Sequence, residues 1–187
     1  MKTLILTAAV IAAMAFAFAA PRAEAAQGKK ILIAYYSWSG NTRAMASHIK
    51  TATGGDIFEI VPVKPYPSVY RECTDQAKKE INAGFKPELK TKLPDLKAYD
   101  AVFVGSPCWW GTIAPPVATF LTKADLAGKT VVPFMTHEGS GMGHSESDIK
   151  KLCPKSTVKD GLPIRGGSVS GAANDVAKWV KELGLQK

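Results

Sequence analysis

The residues best equipped for chemistry lie in one run, Ser37-Trp38-Ser39-Gly40-Asn41-Thr42. The run follows the apolar stretch Ile31-Leu32-Ile33-Ala34 and precedes a helical pattern that begins near Arg43. A buried strand thus feeds a hydroxyl-rich turn, and the turn opens a helix. The first N–H groups of a helix have no partner within it and carry a partial positive charge, so they attract anions. Ser37, Ser39 and Thr42 add short hydroxyl donors, Asn41 adds an amide, and Gly40 permits a tight turn close to a ligand. This set suits a phosphate held without lysine. The same residue types also cap helices that bind nothing. With a single glycine, the run is neither a Walker loop nor a dinucleotide fingerprint.

Two later stretches have a similar character: Gly105-Ser106-Pro107-Cys108-Trp109-Trp110-Gly111-Thr112, and His137-Glu138-Gly139-Ser140-Gly141-Met142-Gly143-His144-Ser145. In the first, two indoles directly follow a strand. Exposing both is costly unless they pack on something, and a flat apolar ring is a good partner. One of the two is expected to fill the core under the next helix instead. Cys108 can exchange electrons or thiols with a neighbouring ligand, or serve as a small packed side chain. In the segment from Thr136 to Ser145 the glycines let backbone N–H groups approach a ligand. His137, Glu138 and His144 are its possible acid/base groups, or else solvated loop residues. No Ser-His-Asp or Cys-His pairing follows from the spacing.

Taken in order, the three stretches resemble the flavin loops of the flavodoxin family, and the resemblance runs from Lys29 to the C-terminus. It implies FMN as cofactor. Ser37, Trp38, Ser39, Gly40, Asn41 and Thr42 would form the phosphate loop. Pro107, Cys108, Trp109, Trp110 and Gly111 would lie beside the flavin ring. Thr136, His137, Glu138, Gly139, Ser140 and Gly143 would follow its pyrimidine edge. Trp38 is an alternative cover for the outer flavin face. The implied activity is electron transfer or flavin-dependent reduction, with a redox partner protein or a small-molecule acceptor. The alternatives are an NAD(P)H-dependent quinone or nitro-compound reductase, for which no separate nicotinamide motif is visible, and a non-redox module that has lost the flavin. The resemblance identifies no catalytic residue.

The elements that must position these loops alternate regularly. Strands are predicted over 30–36, 57–61, 101–105 and 130–135, with a weaker one over 158–164 broken by Gly161 and Pro163. Helices are predicted over 43–51, 69–83, 115–121, 147–152 and 172–183. Alternation of this kind implies a parallel sheet covered on both faces. With right-handed crossovers, the solution is a doubly wound five-stranded α/β sheet of order 2-1-3-4-5, its ligand at the carboxyl ends of the first, third and fourth strands. The three stretches follow those three strands.

Residues 1–25 read as a secretory signal peptide ahead of a single domain over 29–187. Lys2 supplies the positive start, Leu4 to Ala20 is almost wholly apolar, and Ala23-Glu24-Ala25 is a small-x-small cleavage site. The run is short for a bilayer span, and no cysteine at the cut offers a lipid anchor, so no stable membrane attachment is expected. The signal lacks a twin arginine, which points to the general secretory route and a periplasmic or secreted protein. The full chain has a net charge of +8, and loss of Lys2, Arg22 and Glu24 with the signal leaves +7. Its lysines are scattered rather than grouped, which argues for a solvated basic surface and against a nucleic-acid partner. Cys73, Cys108 and Cys153 allow three possible single bridges, and no His/Cys cluster has zinc spacing.

Overall fold

The computed structural model describes residues 29–187; the expected signal peptide and its cut after Ala25 lie outside the described residues. In chain order the elements are β1 (Ile31–Tyr35), α1 (Asn41–Thr53), β2 (Asp56–Glu59), α2 (Tyr70–Asn82), β3 (Ala101–Trp109), β4 (Thr112–Ile113) and α3 (Pro115–Lys123). They continue with β5 (Thr130–His137), α4 (Ser145–Leu152), β6 (Thr157–Val158), β7 (Leu162–Arg165), a 3-10 turn (Gly166–Gly171) and α5 (Ala173–Glu182). The sheet runs β2-β1-β3-β5-β6, all parallel, with β7 also pairing parallel to β5. Counting β6 and β7 as one broken strand, this is the expected doubly wound order. No helix among the described residues is long and apolar enough to cross a membrane.

Alternate residues of each central strand feed opposite layers, as the period of two requires. Leu32 and Ala34 of β1 join Val102 and Val104 of β3 under Cys73 and Ala77 of α2, Phe120 of α3 and Ile149 of α4. Ile31, Ile33 and Tyr35 face the other way with Phe103 and Phe134, beneath Met45 and Ile49 of α1 and Val176 and Val180 of α5. Strands buried on both faces explain why their sequences are continuous apolar runs rather than alternating ones.

The fifth strand is broken, and its neighbour shows why. Val131 pairs with Val158 and Phe134 with Leu162, so Val132 and Pro133 face three residues, 159–161. Lys159 N–H donates to the Val131 carbonyl at 2.9 Å. Peptide groups alternate sides along a strand, so the missing N–H of Pro133 faces this same gap. A bulge therefore sits where the ladder has no donor. Pro163 remains inside β7, opposite Met135, because β7 is an edge strand.

Gly105 lies mid-strand in β3 for a packing reason. A Cβ there would sit 2.1 Å from Phe134 Cζ. The ring of Phe134, fully buried, takes the space a side chain would need. Gly105→Ala is expected to cost about 1–3 kcal/mol through overpacking. In a Phe134→Leu background the penalty should shrink, because the two sites share one volume. Urea unfolding of the two single variants and the double variant measures this; additive losses would show that the ring does not set the requirement for glycine.

Candidate functional site

A cleft of about 600 Å³ opens at the carboxyl ends of β1, β3 and β5. Trp38, Ser39 and Asn41 line it from the first loop, Pro107, Cys108, Trp109 and Trp110 from the second, and Thr136, His137, Glu138, Gly139 and Ser140 from the third. Three loops distant in sequence are thus brought together by the strand order. Ser37 lines an adjoining hollow of about 410 Å³ on the other side of Trp38. Gly40, Thr42, Gly111 and Gly143 do not line the cleft.

The first loop is built to leave amides open. Gly40, the N-cap of α1, has φ 96°, a left-handed conformation that favours glycine. Ser37 Oγ accepts from Gly40 N–H at 3.1 Å and fixes the turn. Ala44 is the first helical residue whose N–H finds a backbone acceptor, the Gly40 carbonyl at 2.9 Å. The N–H groups of 41–43 thus remain available at the helix start. Arg43 does not line the cleft and pairs with Glu59. Any anion here would therefore be held by amides and hydroxyls rather than by a cation. Buried Thr42 shares a hydrogen bond of 2.8 Å with buried Thr136, which joins the start of α1 to the end of β5.

The second loop is a hairpin. Cys108 pairs with Ile113 and Trp109 with Thr112, leaving Trp110-Gly111 as a two-residue turn. Both turn residues have positive φ, 53° and 80°. Tight hairpin turns of this kind normally take Asn-Gly, so tryptophan carries backbone strain here. Contacts to α2 offset it: the Trp110 indole donates to the Thr74 carbonyl at 2.9 Å, and Lys78 Nζ lies 4.4 Å from the ring centre. At the hairpin base, Ser106 Oγ donates to the Pro107 carbonyl and accepts from Ala114 N–H, each at 2.8 Å. Of the two indoles, Trp109 is the packed one, edge-on to Tyr66 at 4.9 Å and to Tyr36 at 5.6 Å. Trp110 is 51% exposed. Trp38 donates from its indole to the Pro67 carbonyl at 2.9 Å and packs against Tyr70.

In the third loop, His137 Nδ1 accepts from Gly139 N–H at 3.0 Å. A neutral His137 ring then carries its proton on Nε2. A Cβ on Gly166 would fall 2.4 Å from both Asn41 Nδ2 and Glu138 Oε1. A larger residue at 166 would have to push aside the ends of these two cleft side chains. Gly143 packs directly on the Gly111 backbone, and His144 N–H donates to the Gly111 carbonyl at 2.8 Å. These two glycines therefore lock the third loop onto the hairpin.

Sequence reasoning missed Tyr70 and Thr74, which complete the wall from α2. The available signal was Val69-Tyr70 at the helix start, in line with the stripe of Cys73 and Ala77 but strongly exposed where those two are buried. The three thiols are free, with Cys73 and Cys153 buried and Cys108 half-buried at the cleft. Burial, with Glu80 adding to it for Cys73, pushes those two buried thiols up to about 11, so they stay protonated at neutral pH. No cluster among the described residues has the makings of a metal site.

Behind the hairpin, Asp148 accepts from Thr112 Oγ1 at 2.6 Å, contacts His144 Nδ1 at 2.5 Å and accepts from Lys151 Nζ at 3.1 Å. Burial pushes its carboxyl up, but the hydrogen bonds from Thr112, His144 and Lys151 outweigh burial and hold it below its ordinary value of 3.8. A carboxyl whose pKa is lower in the folded chain than in the unfolded chain adds stability above the unfolded value. That stability is lost as pH falls through the folded value. Asp148→Asn should therefore be less stable than the parent at neutral pH, and the gap should close as pH falls below 3.8. Urea midpoints across a pH series measure it; a gap that stays constant would mean the carboxylate charge plays no part.

Comparison with known proteins supplies the family. The flavodoxin family model matches residues 30–183. A candidate flavoprotein of Bacteroides uniformis is 30% identical with a TM-score of 0.74, over 83% of this chain and 99% of that one. One from Bacteroides eggerthii is 33% identical with a TM-score of 0.68, over 80% and 99%. A flavoprotein of Lactobacillus acidophilus, solved in complex with FMN, is 27% identical with a TM-score of 0.66, over 79% and 99%. With its fold, its loop order and nearly its whole described length matched, the chain belongs to the flavodoxin family.

Proposed function

We propose that this chain is an exported FMN-binding flavoprotein that passes electrons to a partner protein or reduces a small-molecule acceptor. The observation that carries the reading is the cleft itself: open helix-start amides at one end, aromatic walls in the middle, and glycine-spaced backbone at the far end. These features fit the phosphate, the ring faces and the polar ring edge of FMN. The amides at 41–43, with Ser39 and Asn41, suit the phosphate. Trp109, Trp110, Tyr70 and Trp38 supply apolar surfaces for a flat ring. The loop from Thr136 to Ser140, with its His137 Nε2 proton, suits a polar ring edge. FMN supplies the redox chemistry when bound, and the protein supplies position and electrostatics. The FMN-bound relative supports the assignment. Export rests on the sequence of residues 1–25, and protein recovered outside the cytoplasm should begin at Ala26.

The first loop offers one helix start and no second glycine-rich turn, so FMN is preferred over FAD. Ser39→Ala should weaken FMN by about 1–3 kcal/mol, the usual range for removing a hydrogen-bond partner of a charged group. Riboflavin, which has no phosphate, should be almost unaffected. Titration of apoprotein, followed by flavin absorbance, tests both statements. An equal loss for FMN and riboflavin would move the phosphate away from this loop, and no uptake of either would overturn the flavin reading.

A further inference from the structure

On the far side of the hairpin from the cleft lies a second groove of about 280 Å³. Its floor is apolar: Ile81 and Phe85 at the end of α2, Ile113 of β4, Ala118 of α3 and Leu152 of α4. Phe85 is 52% exposed, held there by the end of α2, where its N–H reaches the Glu80 carbonyl at 2.9 Å. A phenyl ring half in water beside an apolar hollow is a contact surface without a partner among the described residues.

The polar lining has a sign. Lys86, Lys151, His144 and Asp148 edge the groove. Asp148 is already engaged by Thr112, His144 and Lys151, so its charge is largely answered within the protein. Lys86 has no carboxylate within ion-pair distance among the described residues. The balance over an apolar floor is positive even with His144 neutral. The complementary ligand is a small amphipathic anion: an apolar body for Phe85, Ile113 and Leu152, and a carboxylate for Lys86 and Lys151.

We propose that this groove is a second ligand site, for a small aromatic or aliphatic carboxylate, and that it reports to the cleft through the hairpin. The link is direct. Thr112, in the groove, pairs across the hairpin with Trp109, in the cleft. His144, also in the groove, donates its N–H to the Gly111 carbonyl in the turn, and its ring lies 3.5 Å from where a Gly111 side chain would begin. A carboxylate drawn to Lys151 competes with Asp148 for that cation and so perturbs the bond that Thr112 donates to Asp148.

The test is an NMR titration of the apoprotein with 4-phenylbutyrate, using the uncharged 4-phenylbutyramide as control. The acid should bind saturably, shifting the resonances of Phe85, Ala118 and Leu152 together with the Trp110 indole N–H. The amide should bind about fivefold more weakly, and Lys86→Gln with Lys151→Gln should bring the acid to the amide's level, as expected for two exposed charges. Both lysines are on the surface, so folding is not at issue; Phe85→Ser should weaken acid and amide alike. Equal affinities for acid and amide would overturn the anion assignment. Absence of shifts around Phe85 would overturn the site, and a still Trp110 indole would overturn the coupling. None of these readouts requires FMN, so the result stands or falls apart from the flavin reading.

Discussion

The structure depends most on the open N–H groups at the start of α1, held where the parallel strands end. A helix start attracts an anion only if its amides are left without internal partners and the chain can approach closely. Gly40 in the left-handed region and the Ser37 hydroxyl on its N–H create that opening. The bond between Thr42 and Thr136 then fixes it against the third loop. Arg43, in the first turn of the helix, is committed to Glu59. The electrostatics of this end of the cleft therefore come from the backbone, which cannot swing away as a long cationic side chain can.

The remaining architecture holds the other two loops against this point. Ser106 pins the base of the hairpin, while Gly111 and Gly143 bring hairpin and third loop into backbone contact. Trp110 at the tip accepts a backbone conformation disfavoured for tryptophan and is tied to α2 through Thr74 and Lys78. Strain of this kind is found where surrounding contacts over-determine a loop. Here the result is a cleft wall that crosses between two elements far apart in sequence.

Much of this was legible in the residues themselves. Continuous apolar runs such as Ile31-Leu32-Ile33-Ala34, alternating with helical patterns, lead to a doubly wound sheet, and the three polar loops follow the strands that converge. What was hidden depended on neighbours in space. The hairpin at 108–113 was not legible because Trp110-Gly111 is an unusual turn pair whose strain is offset by α2. The break in the fifth strand was legible from Gly161 and Pro163, but its placement depends on Pro133 in the adjoining strand. Tyr70 and Thr74 were missed because a helix start carries no mark of which cleft it walls. Gly40, Thr42, Gly111 and Gly143 read as ligand contacts; none of the four lines the cleft, and what Thr42 can offer a ligand there is its open backbone N–H.

The central claim is that the helix-start amides of α1 hold the phosphate of FMN. The most direct measurement is the backbone N–H resonances of residues 40–43 in apoprotein titrated with FMN and, separately, with riboflavin. The account predicts large downfield shifts for Asn41, Thr42 and Arg43 with FMN and little movement with riboflavin, while the Trp109 indole responds to both. Equal movement of the three amides with the two ligands, or none with FMN, would contradict it.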